Sequence, residues 1–216
     1  MRVGVLGSGE VGRTFARGFA GRGHDVMIGS RDPATGELTA WAAGEGGGGV
    51  TTGTFADTAA HGELLVLAVA GMAVESAIEQ AGADNFRGKV VVDATNPLDF
   101  SRGFPPGLGW AHTDSAGEHV QRAIPEAKVV KAFNTIGNAY FVDPKFSQGE
   151  PTMFVAGDDE EAKKEVVQIL RDFGWSDILD VGGIEASRLL EPLAILWVTI
   201  GGRRGAWDHG FKLLVG

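Results

Sequence analysis

Residues 2–32 read RVGVLGSGEVGRTFARGFAGRGHDVMIGSRD, and the order of residue types in this stretch decides the fold. Val3 to Leu6 reads as a buried strand, Val11 to Ala20 carries apolar residues at helical spacing, and Asp25 to Gly29 reads as a second strand. Between the first strand and the helix stands Gly7-Ser8-Gly9-Glu10-Val11-Gly12, a G-x-G-x-x-G. The first glycine permits the tight turn, the second lets a pyrophosphate approach the backbone, and the third lets helix pack on strand. Behind them the helix N-terminus offers unbonded N–H groups and a partial positive charge. A glycine-rich turn alone says little; placed between a strand and a helix it predicts a dinucleotide site.

The second strand runs into Gly29-Ser30-Arg31, where NAD-binding chains carry an acidic residue for the adenosine ribose. Gly29 and Ser30 bring no carboxylate to repel a phosphate. Arg31 can stack on adenine and hold a 2′-phosphate, and Ser30 can donate its hydroxyl. A hydrogen bond to a charged group contributes about 1.5–3 kcal/mol, so one or two of them favour NADP by roughly tenfold to a hundredfold or more. The other reading leaves Arg31 in solvent and Ser30 capping a turn with Asp32. An inward-pointing Asp32 would weaken phosphate binding.

Working outward, a helix is expected near Glu37 to Ala43, ended by GEGGGG (44–49), which is expected to form a mobile loop. Leu64 to Val69, Lys89 to Asp93 and Val129 to Phe133 are nearly continuous apolar runs, the pattern of strands buried on both faces of a parallel sheet. This alternation predicts an α/β fold with a Rossmann-type doubly wound sheet and right-handed crossovers. After about Glu150 come a strand in TMFVAG, a charged helix over Asp158 to Phe173 capped by Asp158 or Asp159, and a strand over Asp177 to Val181. Ala186 to Arg203 reads as a helix apolar on most sides, kinked at Pro192. Such a helix needs cover. The expected organisation is an NADP-binding domain over 1–150 and a small C-terminal α/β extension over 151–216 that ends in the long apolar helix and closes the cleft, with a homodimer supplying further cover.

Ligands of doubly wound sheets lie beyond the carboxyl ends of the strands. That places Val69-Ala70, Asn96-Pro97 and Ala132-Phe133-Asn134-Thr135 at the same crevice. Asn96 and Asn134 stand where a nicotinamide carboxamide or a second ring could be held, or each is a turn asparagine.

Twenty-eight acidic against nineteen basic residues give a formal charge of −9, which predicts no general attraction to nucleic acid or an anionic membrane. The absence of cysteine excludes disulfides, thiolate-held metals and a thiol nucleophile. No charged leader precedes Arg2, and the apolar run Leu193 to Ile200 is too short to span a bilayer, so a cytoplasmic protein is expected. His24, His61, His112, His119 and His209 show no metal-ligand spacing. No metal site and no catalytic side chain are expected; His112 and Thr113 are candidates for the cleft wall.

The motifs GSGEVG, IGSRDP, SAGEHV, VVKAFNTI, VAGDDEEAKK and EASRLLEPLA, in this order along nearly the whole chain, resemble the small NADPH-dependent reductases of the deazaflavin coenzyme F-420. VVKAFNTI also looks like the oxidoreductase domain of the STEAP metalloreductases, which pass electrons from NADPH to a flavin. The resemblance implies a Rossmann-type domain, a smaller C-terminal domain and a second redox coenzyme in the cleft between them. It puts Ser8, Gly9, Val11, Ser30 and Arg31 on NADP and Asn134, Thr135 and Ile136 against the deazaflavin ring. Two positions depart from the deazaflavin reductases: Asn134 replaces a histidine, and Thr35-Gly36-Glu37 lacks a basic residue.

The implied reaction is hydride transfer between stacked nicotinamide and deazaflavin or flavin rings, a chemistry that belongs to the coenzymes and needs no side-chain acid. Alternatives are an NADPH-dependent reductase of flavin or of a small imine or carbonyl substrate, and a non-catalytic NADP-binding sensor module. The anionic tail of coenzyme F-420 calls for a basic patch, for which Arg102, Arg188, Arg203 and Arg204 are candidates; Arg188 could instead pair with Glu191 at i,i+3.

Overall fold

The computed structural model describes residues 1–44 and 47–216. Glu45 and Gly46, in the middle of the glycine run expected to be mobile, lie outside the described residues. Six parallel strands form the main sheet: β1 (Arg2–Leu6), β2 (Asp25–Gly29), β3 (Thr51–Gly53), β4 (Leu64–Leu67), β5 (Val90–Asp93) and β8 (Lys128–Lys131). Their order is β3-β2-β1-β4-β5-β8, the order of doubly wound dinucleotide folds, with the chain reversing direction of travel between β1 and β4. In the shared register Val5 lies between Ile28 and Val66, and Val92 between Val66 and Val130.

Side chains alternate between two cores because a strand has period two. Val3, Val5, Val66, Val92 and Val130 face one side, where α1 (Glu10–Ala20) and α6 (Glu160–Asp172) bring Phe15, Phe19, Leu170 and, just after α6, Phe173. Leu6, Leu65, Leu67, Val91 and Val129 face the other, under α3 (Phe55–His61), α4 (Val74–Ala81) and α5 (Ala116–Ala123). The remaining helix of the first half, α2 (Gly36–Ala43), buries only Leu38.

A short antiparallel hairpin, β6 (Leu98–Asp99) and β7 (Gly107–Leu108), precedes α5. The C-terminal strands β9 (Met153–Val155) and β10 (Ile178–Asp180) pair in parallel, and an antiparallel bridge between Lys131 and Ala156 ties them to the sheet edge. Asp159 caps α6 by accepting from the Ala162 N–H at 2.8 Å.

The last helix, α7 (Ser187–Arg204), has Pro192 inside it and does not break there. Nor is it covered all round. Leu190, Glu191, Ala194 and Gly201 face inward, while Leu189 and Leu196 are 72% and 49% exposed. The chain then doubles back, with the Trp197 indole N–H donating to the His209 carbonyl at 2.8 Å and the two rings stacked.

Candidate functional site

Each glycine of the turn does the job its position demands. Gly7 adopts φ +126°, and its N–H donates to the Gly29 carbonyl at 3.0 Å. A Cβ on Gly12 would lie 1.8 Å from the Gly7 carbonyl oxygen, so only glycine lets α1 sit this close to β1. Gly9 is different: a Cβ there would meet nothing within 4 Å. It is the N-cap of α1 with no side-chain cap, so the first N–H groups of the helix look onto open space beside it.

That space continues into a cavity of about 340 Å³ lined by Gly7, Ser8, Gly9, Ser30, Arg31, Val69 and Ala70. Those seven residues come from three loops after three strands. Sequence reading had brought them together; it had missed Phe55, Ser76 and Gln80, which complete the wall from α3 and α4. Larger cavities exist, such as one of about 490 Å³ between the 146–151 loop and the C-terminal tail. It touches none of the strand ends, and the glycine turn is the better candidate on chemical grounds.

Glu10 and Val11 contribute backbone rather than lining. The Glu10 side chain is exposed, and Val11 is half-buried against the core.

At the lip of β2 the Ser30 hydroxyl caps a turn with Asp32 and stands on the cavity wall. It accepts from the Asp32 N–H at 3.2 Å and donates to the Asp32 carbonyl at 3.3 Å. The Asp32 carboxylate accepts from the Ala34 N–H at 3.2 Å, an Asx turn that keeps it engaged within its own loop. Arg31 is exposed, and among the described residues no carboxylate pairs with it. Nearby, Arg13 reaches back over the turn, donating to the Ser8 carbonyl at 2.9 Å and to Glu37 at 2.7 Å. Glu37, standing where the resemblance led one to look for a base, is thus held by an arginine of α1.

The ends of β5 and β8 meet at a pair of asparagines. Asn96 Nδ2 donates to the Asn134 carbonyl at 2.8 Å, and Asn134 Nδ2 donates to Asn96 Oδ1 at 3.0 Å and to the Leu190 carbonyl of α7 at 3.1 Å. Asn134 is buried, and its Oδ1 has no hydrogen-bond partner among the described residues. Such an orphan is costly unless something else satisfies it.

Of the neighbours, Pro97, Thr135 and Ile136 are buried beside this pair. Ala132 and Phe133 belong to the core. The Phe133 ring packs edge-on to Phe15 at 4.9 Å, and its backbone sits at φ +64°, an unusual conformation for a bulky residue next to a candidate site. His112 and Thr113 are exposed on the loop before α5, where no lining role is visible.

Beneath the asparagines lies a charge cluster that the sequence reading missed. Lys131, wholly buried, pairs with Asp93 at 2.7 Å and Glu191 at 2.9 Å and donates to the Thr95 carbonyl at 2.9 Å. Burial disfavours its charge, but Asp93 and Glu191 outweigh that penalty and hold the pKa above the usual lysine value. Glu191 also accepts from the Ala116 and Gly117 N–H groups at the start of α5, both at 3.0 Å. The Arg188–Glu191 pair offered as the alternative for Arg188 does not form, because Glu191 turns inward to this cluster. Arg188 instead chelates Glu118, whose pKa is held below the usual glutamate value chiefly by that hydrogen bond. Arg204 pairs with Asp208 at 3.0 Å.

Comparison with known proteins follows the same lines. The family model described as "NADP oxidoreductase coenzyme F420-dependent" matches residues 2–97. A crystal structure of a proposed F420-dependent NADP-reductase from Arthrobacter sp. FB24 is 42% identical, with both chains covered in full and a TM-score of 0.94. The chain belongs to the F420-dependent NADP oxidoreductase family. As a member of that family it is an NADP-dependent oxidoreductase. The F420-dependent NADP reductase of Methanocaldococcus jannaschii is 29% identical over 206 residues, covering 92% of this chain and 91% of that protein. Metalloreductase STEAP3 of Rattus norvegicus is 31% identical over 198 residues; the match covers 90% of this chain but only 37% of that protein's length. Among the described residues no helix is long and apolar enough to cross a membrane, and no group of three or more side chains could hold a metal ion.

Proposed function

We propose that this member of the family transfers hydride between NADP(H) and the deazaflavin coenzyme F-420. The observation that carries the proposal is the cavity at the glycine turn, where an arginine without a carboxylate partner among the described residues stands beside the uncapped end of α1. The residues present fit such a coenzyme at both ends. Gly9 leaves open space in front of the helix N-terminus for a pyrophosphate, and Asn134 Oδ1 is an unfilled acceptor for a carboxamide N–H.

When bound, the nicotinamide and deazaflavin rings supply the redox chemistry themselves. The chain's part is to bind, align and exclude water. Arg31 and Ser30 take the 2′-phosphate, the N–H groups of Glu10, Val11 and Gly12 face the pyrophosphate, and Val69 and Ala70 wall the route between. Asn96 and Asn134 fix the carboxamide end, with Pro97, Thr135 and Ile136 closing that end from water. No side chain is assigned a proton transfer.

Residues 1–150 then act as the NADP-holding part and 151–216 as the part that closes the cleft, in a cytoplasmic homodimer. Of the four arginines considered for an anionic tail, Arg188 and Arg204 are paired with carboxylates, leaving Arg102 and Arg203 as the candidates.

Asn134 in place of a histidine, together with the similarity to the metalloreductase, favours a second reading in which a flavin is the acceptor. Mixing the protein with NADPH and, separately, deazaflavin, FMN or FAD decides between them. Rapid NADPH loss with deazaflavin alone supports the first reading, and loss with flavin the second. Binding without loss in every mixture would leave a sensor module.

A further inference from the structure

We propose that the buried Lys131–Asp93–Glu191 cluster is a positioning device for the nicotinamide end of the site, acting through the asparagine pair above it. This deepens the proposed function and rests on its NADP half, whatever the acceptor.

Three chain segments supply the cluster, and the same three supply the asparagine layer. At and just beyond the end of β5, Asp93 and Thr95 belong to the cluster and Asn96 to the pair. At and just beyond the end of β8, Lys131 belongs to the cluster and Asn134 to the pair. On α7, Glu191 belongs to the cluster, and the adjacent Leu190 carbonyl receives Asn134 Nδ2 at 3.1 Å. Moving any one segment therefore disturbs both layers at once.

The cluster is densely connected, with Asp93 Oδ2 held by the Lys131 ion pair and otherwise without a hydrogen-bond partner among the described residues. Lys131 has three oxygen partners for its three protons, at 2.7, 2.9 and 2.9 Å. Asp93 Oδ1 accepts from the Thr95 N–H at 2.9 Å and the Thr95 hydroxyl at 2.7 Å. Glu191 holds the α5 N-terminus with both oxygens. A Cβ on Gly117 would fall 2.3 Å from Ser187 Oγ, so α5 and α7 are in close contact there as well.

Burying two carboxylates and an ammonium is poor value for stability, since apolar residues of similar volume usually serve as well. Such groups are better explained by register, and here the register set is that of Asn96, Asn134 and Leu190. The strained backbone at Phe133, between Lys131 and Asn134 and next to the latter, is held at φ +64° by its surroundings. With the segments locked, Asn134 Oδ1 is left buried and unpartnered in one orientation, ready for a donor that the coenzyme brings.

The test uses the full chain, with 2′,5′-ADP as a probe of the adenosine half and NADPH as a probe of both halves. Glu191→Gln keeps the shape but removes one of the two charges that hold Lys131. We expect its 2′,5′-ADP Kd to stay within about twofold of wild type. The emission of bound NADPH should lose most of its change relative to free NADPH, and kcat with whichever acceptor the wild type uses should fall at least tenfold. Because that variant can lose stability, the neutral Asp93→Asn/Lys131→Met/Glu191→Gln protein is measured beside it. It should melt closer to wild type while showing the same nicotinamide-end defect.

Unchanged NADPH emission and kcat in a folded variant would overturn the inference, and so would equal weakening of both probes, which marks general loosening. A wild-type protein that binds neither probe would instead remove the proposed function, and the positioning role with it.

Discussion

Arg31→Ala tests the coenzyme assignment most directly. The guanidinium is exposed at the lip of the cavity, and among the described residues no carboxylate competes for it. A planar guanidinium can offer a phosphate two parallel N–H donors. In a buried setting each would contribute about 1.5–3 kcal/mol. Solvent exposure and ionic screening reduce this, so about 1.5–3 kcal/mol for the pair together is the reasonable magnitude. That corresponds to a rise in the NADPH Kd of roughly tenfold to a hundredfold. NADH has no 2′-phosphate and can lose only the stacking of Arg31 on adenine, about 0.5–1 kcal/mol at an exposed site, so its Kd should change far less, by a few-fold at most. Titration of nicotinamide fluorescence gives both constants on the same preparation. Because the interaction is exposed, the wild-type preference for NADPH should also shrink as salt shortens the Debye length from about 10 Å at 0.1 M. Equal losses of NADPH and NADH, or a preference indifferent to salt, would refute the phosphate assignment.

Two glycines of the turn should behave oppositely. Gly12→Ala puts a methyl 1.8 Å from a backbone oxygen and should lower the urea unfolding free energy by about 3 kcal/mol, whereas Gly9→Ala, with nothing within 4 Å, should leave stability within about 0.5 kcal/mol and weaken coenzyme binding. Ser115 accepts from the Glu118 N–H at 3.2 Å as the N-cap of α5, so Ser115→Ala should cost about 1 kcal/mol; a melting temperature equal to wild type would show that Glu191 caps the helix alone. Glu118 has its pKa depressed by Arg188. A depressed acid contributes stability that is fully present above its unfolded pKa, about 4.3, and lost as pH falls through the lower folded value. Melting curves between about pH 5 and 3 should fall more steeply for wild type than for Glu118→Gln, and parallel curves would remove Glu118 from the acid response.

What was legible in the sequence is what short-range chemistry determines. The glycine turn, the Ser30-Arg31 lip and the five long strands announce themselves because each needs particular residue types within a few positions, and all appear within a residue or two of their expected ends. The helices α3, α4 and α5, seven or eight residues long and so about two turns each, were not read. Signals for two of them were nonetheless present, since Thr54 with Asp57 and Ser115 with Glu118 have the spacing of capping boxes. With α3 and α4 unplaced, Phe55, Ser76 and Gln80 could not be brought to the cavity. The charge cluster was harder, because its members are 38 and 60 residues apart in sequence and no local pattern connects them. Its trace was chemical rather than periodic: Asp93 and Lys131 each end a strand that is otherwise apolar at its centre, and Glu191 interrupts a greasy helix. Helical spacing alone offered Glu191 as one possible partner for Arg188. The structure pairs it with a lysine from the sheet, because a carboxylate on the inward face of α7 has a buried ammonium and two helix N–H groups within reach, and Arg188 lies on the side of Glu118. An ionisable residue inside an apolar element is therefore better read first as one half of a buried contact whose partner is another such residue, and only then as a surface pair.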